Sequence, residues 1–191
     1  MKSDRASESE NASRPQATYS YGHSAVVVQV HRQRSAASEA AFFLPHLRPG
    51  MRLLDVGCGP GSITAGLAEV VAPGEVVGVD LSAEVLAEAG RLAAERRLTN
   101  LRFEAASVYD LPFPAASFDA VFAHTLLEHV HDPAAALLEM RRVLRPGGVV
   151  GVRDADWASG IFWPRDVLMD LAYDLYARVW THNGGHPNLG R

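Results

Sequence analysis

Glycine stands at every second position of Gly57-Cys58-Gly59-Pro60-Gly61, directly after the apolar run Leu53-Leu54-Asp55-Val56. Such a loop lets main chain approach a ligand where a Cβ would clash. A second apolar run, Val76-Val77-Gly78-Val79, ends on Asp80, the placement at which α/β nucleotide folds hold an acid against ribose hydroxyls. Together the two features point to an adenosine-containing cofactor. Further along, His124, Glu128, His129, His131 and Asp132 crowd one stretch. Their spacing is not H-E-x-x-H or another metal-ligand signature, so they read as structural or substrate-facing groups and no metal is expected.

The glycine spacing decides between cofactors. A dinucleotide fingerprint needs G-x-G-x-x-G, whereas here the third glycine comes one residue early and Asp55 stands two residues before the first. The form D-x-G-x-G-x-G followed by Asp80 resembles the first two motifs of class I S-adenosylmethionine-dependent methyltransferases. Leu111-Pro112-Phe113-Pro114, Ser117-Phe118-Asp119-Ala120-Val121, Leu127-Glu128-His129-Val130 and Arg142-Val143-Leu144-Arg145-Pro146-Gly147-Gly148 look like that superfamily's later motifs. Their order is similar to the small-molecule branch that includes the C-methyltransferases of ubiquinone and menaquinone synthesis, and the likeness runs from about Tyr19 onward. A nicotinamide-dependent oxidoreductase shares only the loop and Asp80. A non-catalytic cofactor-binding or partner protein on the same fold is the rival of another class.

The resemblance implies roles residue by residue. The backbone of Gly57, Cys58, Gly59 and Gly61 would face the methionine part of S-adenosylmethionine, Asp80 would take both ribose hydroxyls, and Leu81 would pack on adenine. Asp55 is either a turn-stabilising acid or an indirect partner of the cofactor's ammonium. Ser107 and Val108 stand where the family has Asp-Ala to read the adenine amino group. Serine accepts a hydrogen bond without charge and with less reach, so the nearby Asp110 is a candidate substitute. Tyr21 belongs to a segment that covers the cofactor in the family. His124, just past a strand, and His129 are the candidate catalytic groups, with Asp154 and Asp156 next. Methyl transfer would run in line to an oxygen, carbon or nitrogen.

Positioning these residues takes alternating strands and helices, which predicts an α/β, Rossmann-like, doubly wound and mostly parallel sheet. Strands are expected at 52–56, 75–80, 101–105, 118–123 and 149–153. Helices are expected at 62–71, after Ser82, after Asp132-Pro133, and at 164–181, the last with Leu168, Leu171, Leu175 and Val179 in register. Residues 1–18 are polar and read as a disordered tail, 19–48 as a helical cap with one or two helices at 24–47, 49–160 as the cofactor-binding α/β domain, and 161–191 as a second helical cap. Tyr19, Tyr21, Trp157, Phe162, Trp163, Tyr173, Tyr176 and Trp180 make these caps aromatic, which suits an apolar or ring-containing acceptor. The resembled fold has seven strands, its last two an antiparallel hairpin beside strand five; that hairpin is not visible here. The uncovered strand-five edge is then expected to lower stability or to recruit a second copy.

Composition narrows the partners. The 191 residues carry 18 basic against 22 acidic side chains, a net charge of −4, and the single lysine is Lys2. The basic footprint of a nucleic-acid binder is missing, so a small-molecule acceptor is expected. There is no apolar leader and no run long enough to span a membrane, and the lone Cys58 cannot form an internal disulfide; a cytoplasmic protein is expected.

Overall fold

The computed structural model describes residues 29, 31–160, 163–164 and 166–190. Tyr19, Tyr21, Phe162 and the tail 1–18 lie outside the described residues. Within them, five strands form one parallel sheet: β1 Leu53–Val56, β2 Val76–Asp80, β3 Leu101–Ala105, β4 Phe118–His124 and β5 Leu144–Arg153, in the order β3-β2-β1-β4-β5. The order reverses between β1 and β4, and in open α/β sheets ligands bind outside the carboxyl ends of the strands at such a switch point.

Two-residue alternation sends each strand's side chains to opposite faces. Leu54, Val56, Val77, Val79, Val121 and Ala123 pack on one face against Met140 and Val143 of α4 (Pro133–Val143). Leu53, Val76, Ala120 and Phe122 pack on the other against Leu67 and Val71 of α2 (Ser62–Val71) and against Phe43. Phe43 stacks on Phe122 with centroids 5.3 Å apart. The helix α3 (Ala83–Glu95) starts where the Ser82 hydroxyl accepts from Val85 N. In α4, Asp132 accepts from Ala135 N and Pro133 fills the first turn, where its missing N–H costs nothing.

Three expectations shift. The first cap is not helical through 47: α1 spans only Ala36–Glu39, because Ser35 is extended and caps it, and a 3-10 turn at Leu44–His46 carries Pro45. Strand β5 begins at Leu144, pairing with Phe118 before a register shift, although Pro146-Gly147-Gly148 reads as a helix stop. The last helix, α5 (Val167–His182), starts at the Asp166 cap, three residues after Pro164. Its leucine stripe does not face the protein: Leu168, Leu171, Leu175 and Val179 are exposed, and Trp180 is fully buried. The helix docks instead by its aromatic stripe, with Trp157 5.2 Å from Tyr173, 5.3 Å from Tyr176 and 5.3 Å from Trp180.

The outer side of β5 pairs with no strand among the described residues. No described helix is long and apolar enough to cross a membrane.

Candidate active site

A cavity of about 220 Å³ opens along the carboxyl ends of β1 to β4. Its lining includes Asp55, Gly57, Cys58, Gly59, Asp80, Leu81, Ser107, Val108, His124 and His129. The structure therefore brings these sequence candidates together. Gly61 stands behind the cavity wall as the N-cap of α2 at φ +78, where a Cβ would lie 2.9 Å from Ala89 Cβ and 3.0 Å from Phe103 Cζ. Gly59, at φ +53, has nothing within 4 Å of a Cβ position. The two glycines thus do different work: Gly61 permits packing, and Gly59 keeps the cavity side of the turn clear.

Asp80 closes β2 and braces this turn. Its Oδ2 accepts from Gly59 N at 3.0 Å and its Oδ1 from Ser82 N at 3.0 Å. A carboxylate oxygen holds two lone pairs, so each oxygen retains one for a ligand hydroxyl. Leu81, 60% exposed, and Val85 add an apolar shelf beside it in the cavity lining. The set fits an adenosylated cofactor: a carboxylate for a vicinal diol, an apolar shelf for the purine, and a glycine turn that keeps the space over Gly59 clear. Ser107 Oγ accepts from Tyr109 N at 3.2 Å. Asp110 does not take over at the cavity; it is exposed, is absent from the lining, and bonds back to Ser107 through its own N–H.

Asp55 is buried under the turn, where Thr64 Oγ1 donates to its Oδ2 at 2.6 Å and so ties β1 to α2. Burial and the neighbouring Asp80 charge push its carboxyl up to about 7. Burial likewise raises the Cys58 thiol, which is therefore no ready nucleophile.

The β4 end is built from side chains that converge from both caps. His124 is the last residue of β4 instead of the one after it, and is buried. Its Nε2 lies 3.2 Å from Glu39 Oε2, and its Nδ1 lies 3.5 Å from the Thr125 hydroxyl. Burial, then the Arg34 charge, lower its pKa to about 4, so the ring is neutral near pH 7. Thr125 itself sits at φ +49, a conformation that costs a β-branched residue energy. His129 stacks on Trp180 at 4.7 Å and 13°, with its Nε2 3.4 Å from Glu128 Oε1.

The remaining candidates hold structure. Asp154 accepts from Glu128 N, Glu128 accepts from Ala155 N, and the Glu128 carbonyl receives both Trp180 Nε1 and His186 N. Asp156 caps the 3-10 turn at Trp157–Ser159, and the His131 carbonyl meets His186 Nε2. No group of three or more metal-ligating side chains occurs among the described residues. Sequence reasoning missed Arg34, Glu39 and Thr125. The cap's length gave their neighbourhood, but no spacing announces a contact 85 residues away.

A strand-order switch point, a glycine-rich turn and an acid closing the second strand define a nucleotide-cofactor fold of the methyltransferase type. Residues 54–152, just over half of the chain, match the family described as a methyltransferase domain, and the chain belongs to that family. It is 37% identical over 179 residues to an uncharacterized methyltransferase of Schizosaccharomyces pombe, a match covering 91% of this chain and 64% of that protein. It is 36% identical over 137 residues to the ubiquinone/menaquinone biosynthesis C-methyltransferase UbiE of Teredinibacter turnerae, covering 70% and 52%. A SAM-dependent methyltransferase structure from Aquifex aeolicus shares the fold with a TM-score of 0.65 at 20% identity, covering 81% of this chain and 86% of that one. The chain spans between about a third and two thirds of the length of the curated relatives it matches.

Proposed function

We propose that this chain transfers a methyl group from S-adenosylmethionine to a small organic acceptor with apolar or aromatic surface. The observation that carries the reading is the Asp80 carboxylate, bonded to both Gly59 N and Ser82 N, in one cavity with His124, Thr125 and His129. Asp80, Leu81 and the 57–61 turn would hold the cofactor, with Ser107 and Val108 beside its base and Asp55 acting beneath the turn. The bound sulfonium supplies an already activated methyl group. The protein's own contribution is then to align two reactants and exclude water, worth up to ~7–11 kcal/mol.

The acceptor meets the β4 end, where Trp180 backs the His129 ring and the first cap brings Arg34 and Glu39. One relative bears on its class: UbiE is named for a quinone pathway and, with the aromatic second cap, supports a ring-containing acceptor. The net charge of −4 without a basic run supports a small molecule over nucleic acid, and the lone buried Cys58 suits a cytoplasmic setting. The open edge of β5 is the surface through which two copies would associate.

Two measurements test this. S-adenosylhomocysteine should bind in calorimetry while NAD and NADP do not. Isotopically labelled S-adenosylmethionine incubated with the protein and a metabolite extract should label a product resolved by mass spectrometry. Tight NAD binding would return the chain to the oxidoreductase reading, and cofactor binding without any labelled product would favour a non-catalytic role.

A further inference from the structure

Five side chains form one directed line through His124. Arg34 Nη1 donates to Thr125 Oγ1 at 3.2 Å, and that hydroxyl lies 3.5 Å from His124 Nδ1. On the other side of the ring, Nε2 lies 3.2 Å from Glu39 Oε2, and Arg153 of β5 donates to the same oxygen. Burial opposes ionisation of Glu39, but the Ser38 hydroxyl and the charges of Arg153, His124 and Arg34 hold its carboxyl below the ordinary range. A carboxylate only accepts, so its contact places the ring proton on Nε2. Arg34 only donates, so it occupies a lone pair of Thr125 and leaves that residue's O–H to point at Nδ1. The tautomer is thus set from both ends, and the Nδ1 lone pair faces the Thr125 O–H. The left-handed φ of Thr125 is strained for a β-branched residue and is retained on the cavity wall.

We propose that Glu39 is a positioning residue that holds His124 ready to accept the proton of a hydroxyl-bearing acceptor, relayed by Thr125. The inference rests on the methyltransferase reading and adds the acceptor class to it. The acceptor O–H bond breaks and its electron pair stays on oxygen, which becomes the nucleophile. The proton passes to Thr125 Oγ1 as the Thr125 proton passes to His124 Nδ1. The resulting imidazolium keeps its Nε2–H on the Glu39 carboxylate and later releases the proton to solvent. A carboxylic acid acceptor arrives already ionised and has no use for this relay, so the pair selects alcohols, phenols and enols.

The test uses the full chain, ¹⁵N-labelled at histidine and saturated with S-adenosylhomocysteine. In the wild type, His124 should show an Nε2 proton protected from exchange. E39Q should keep that proton on its amide oxygen but titrate at lower pH, because the charge that stabilises the imidazolium is gone. E39V should lose the protected proton, and R34M should titrate at higher pH. With labelled S-adenosylmethionine and a metabolite extract, the label should appear in methyl ethers, and E39Q and E39V should slow it by more than about tenfold with S-adenosylhomocysteine affinity unchanged. Label in methyl esters, in amines or on carbon, full activity in E39V, or no protected proton in the wild type overturns the proposal. Failure of the wild type to bind S-adenosylhomocysteine overturns the methyltransferase reading instead, so the two failures are told apart.

Discussion

The two ends of the cavity are built in different ways. Around β1 and β2 the walls are backbone: a glycine turn, an acid one strand over, and amides that brace it, all within residues 53–85. Around β4 the walls are side chains recruited from afar, with Glu39 and Arg34 arriving from one cap and Trp180 from the other. The first arrangement fits a ligand common to a whole family, since backbone geometry tolerates little change. The second is free to vary, because replacing one cap side chain leaves the sheet intact. On the proposed function, the first end would hold the cofactor and the β4 end would choose the acceptor.

Separate perturbation of the two ends should therefore separate acceptor handling from cofactor binding. The largest effect is expected at Trp180, which is fully buried, stacks on His129 and donates to the Glu128 carbonyl. Trp180→Ala should destabilise the fold by about 3–5 kcal/mol in denaturant titration and cut turnover, while the remaining folded protein still binds S-adenosylhomocysteine. Equal loss of cofactor affinity would show that the ends are not independent.

The glycines sharpen the contrast within the cofactor end. Gly61→Val drives a branched side chain into Ala89 and Phe103 from a left-handed backbone, so roughly 2–5 kcal/mol of stability should go, summing overpacking and backbone strain. Gly59→Val meets no protein atom within 4 Å of its Cβ but stands at φ +53, so it should lose only the roughly 1–2 kcal/mol of left-handed backbone strain, less than Gly61→Val, and yet bind no cofactor. Asp80→Ala is milder: S-adenosylhomocysteine affinity should fall by roughly 1–3 kcal/mol as buried hydroxyls lose their partner, with His124 titrating as before. Calorimetry and thermal melts of the three variants decide this order.

The same division explains what the sequence reveals. The 57–61 turn, Asp80 and the helix starts at Ser82 and Asp132 depend on residues within a few positions of each other, so their signatures are local. The pairing of Glu39 with His124 depends on a cap folding over a sheet edge, and no local pattern encodes it. The last helix shows a subtler failure. Its leucines and its aromatics both recur at helical spacing, so periodicity offers two faces, and the choice falls to partners. Trp157 and the Glu128 carbonyl suit the aromatic stripe with its polar handles, and the leucines are left exposed. At β5 the residue types Pro146-Gly147-Gly148 suggest a helix stop, but the helix has already ended at Val143 and the three residues lie within the strand that begins with Leu144 paired to Phe118.

The smallest effect separates the two ends by its sign. Asp55, pushed up to about 7 from an ordinary 3.8, binds a proton in the folded state that the unfolded chain has already lost between those values, so its contribution makes stability fall as pH rises through that window. His124, lowered to about 4 from 6.5, is neutral when folded and charged when unfolded between those values, so its contribution makes stability rise with pH. Asp154, pushed up to about 6 by burial and the Glu128 charge, adds to the falling side between 3.8 and 6. In the wild type the two falling contributions outweigh the rising one between pH 4 and 6, and Asp55 and His124 offset each other between 6 and 6.5. Asp55→Asn keeps an acceptor for Thr64 and removes one falling contribution, so its melting temperature should fall less with rising pH than the wild type's. His124→Gln removes the rising term and should tilt the other way. Melting curves at half-unit intervals from pH 4 to 7 read both slopes; variants whose curves run parallel to the wild type would mean that neither group is held out of its ordinary range, and the electrostatic contrast between the two ends would fall with them.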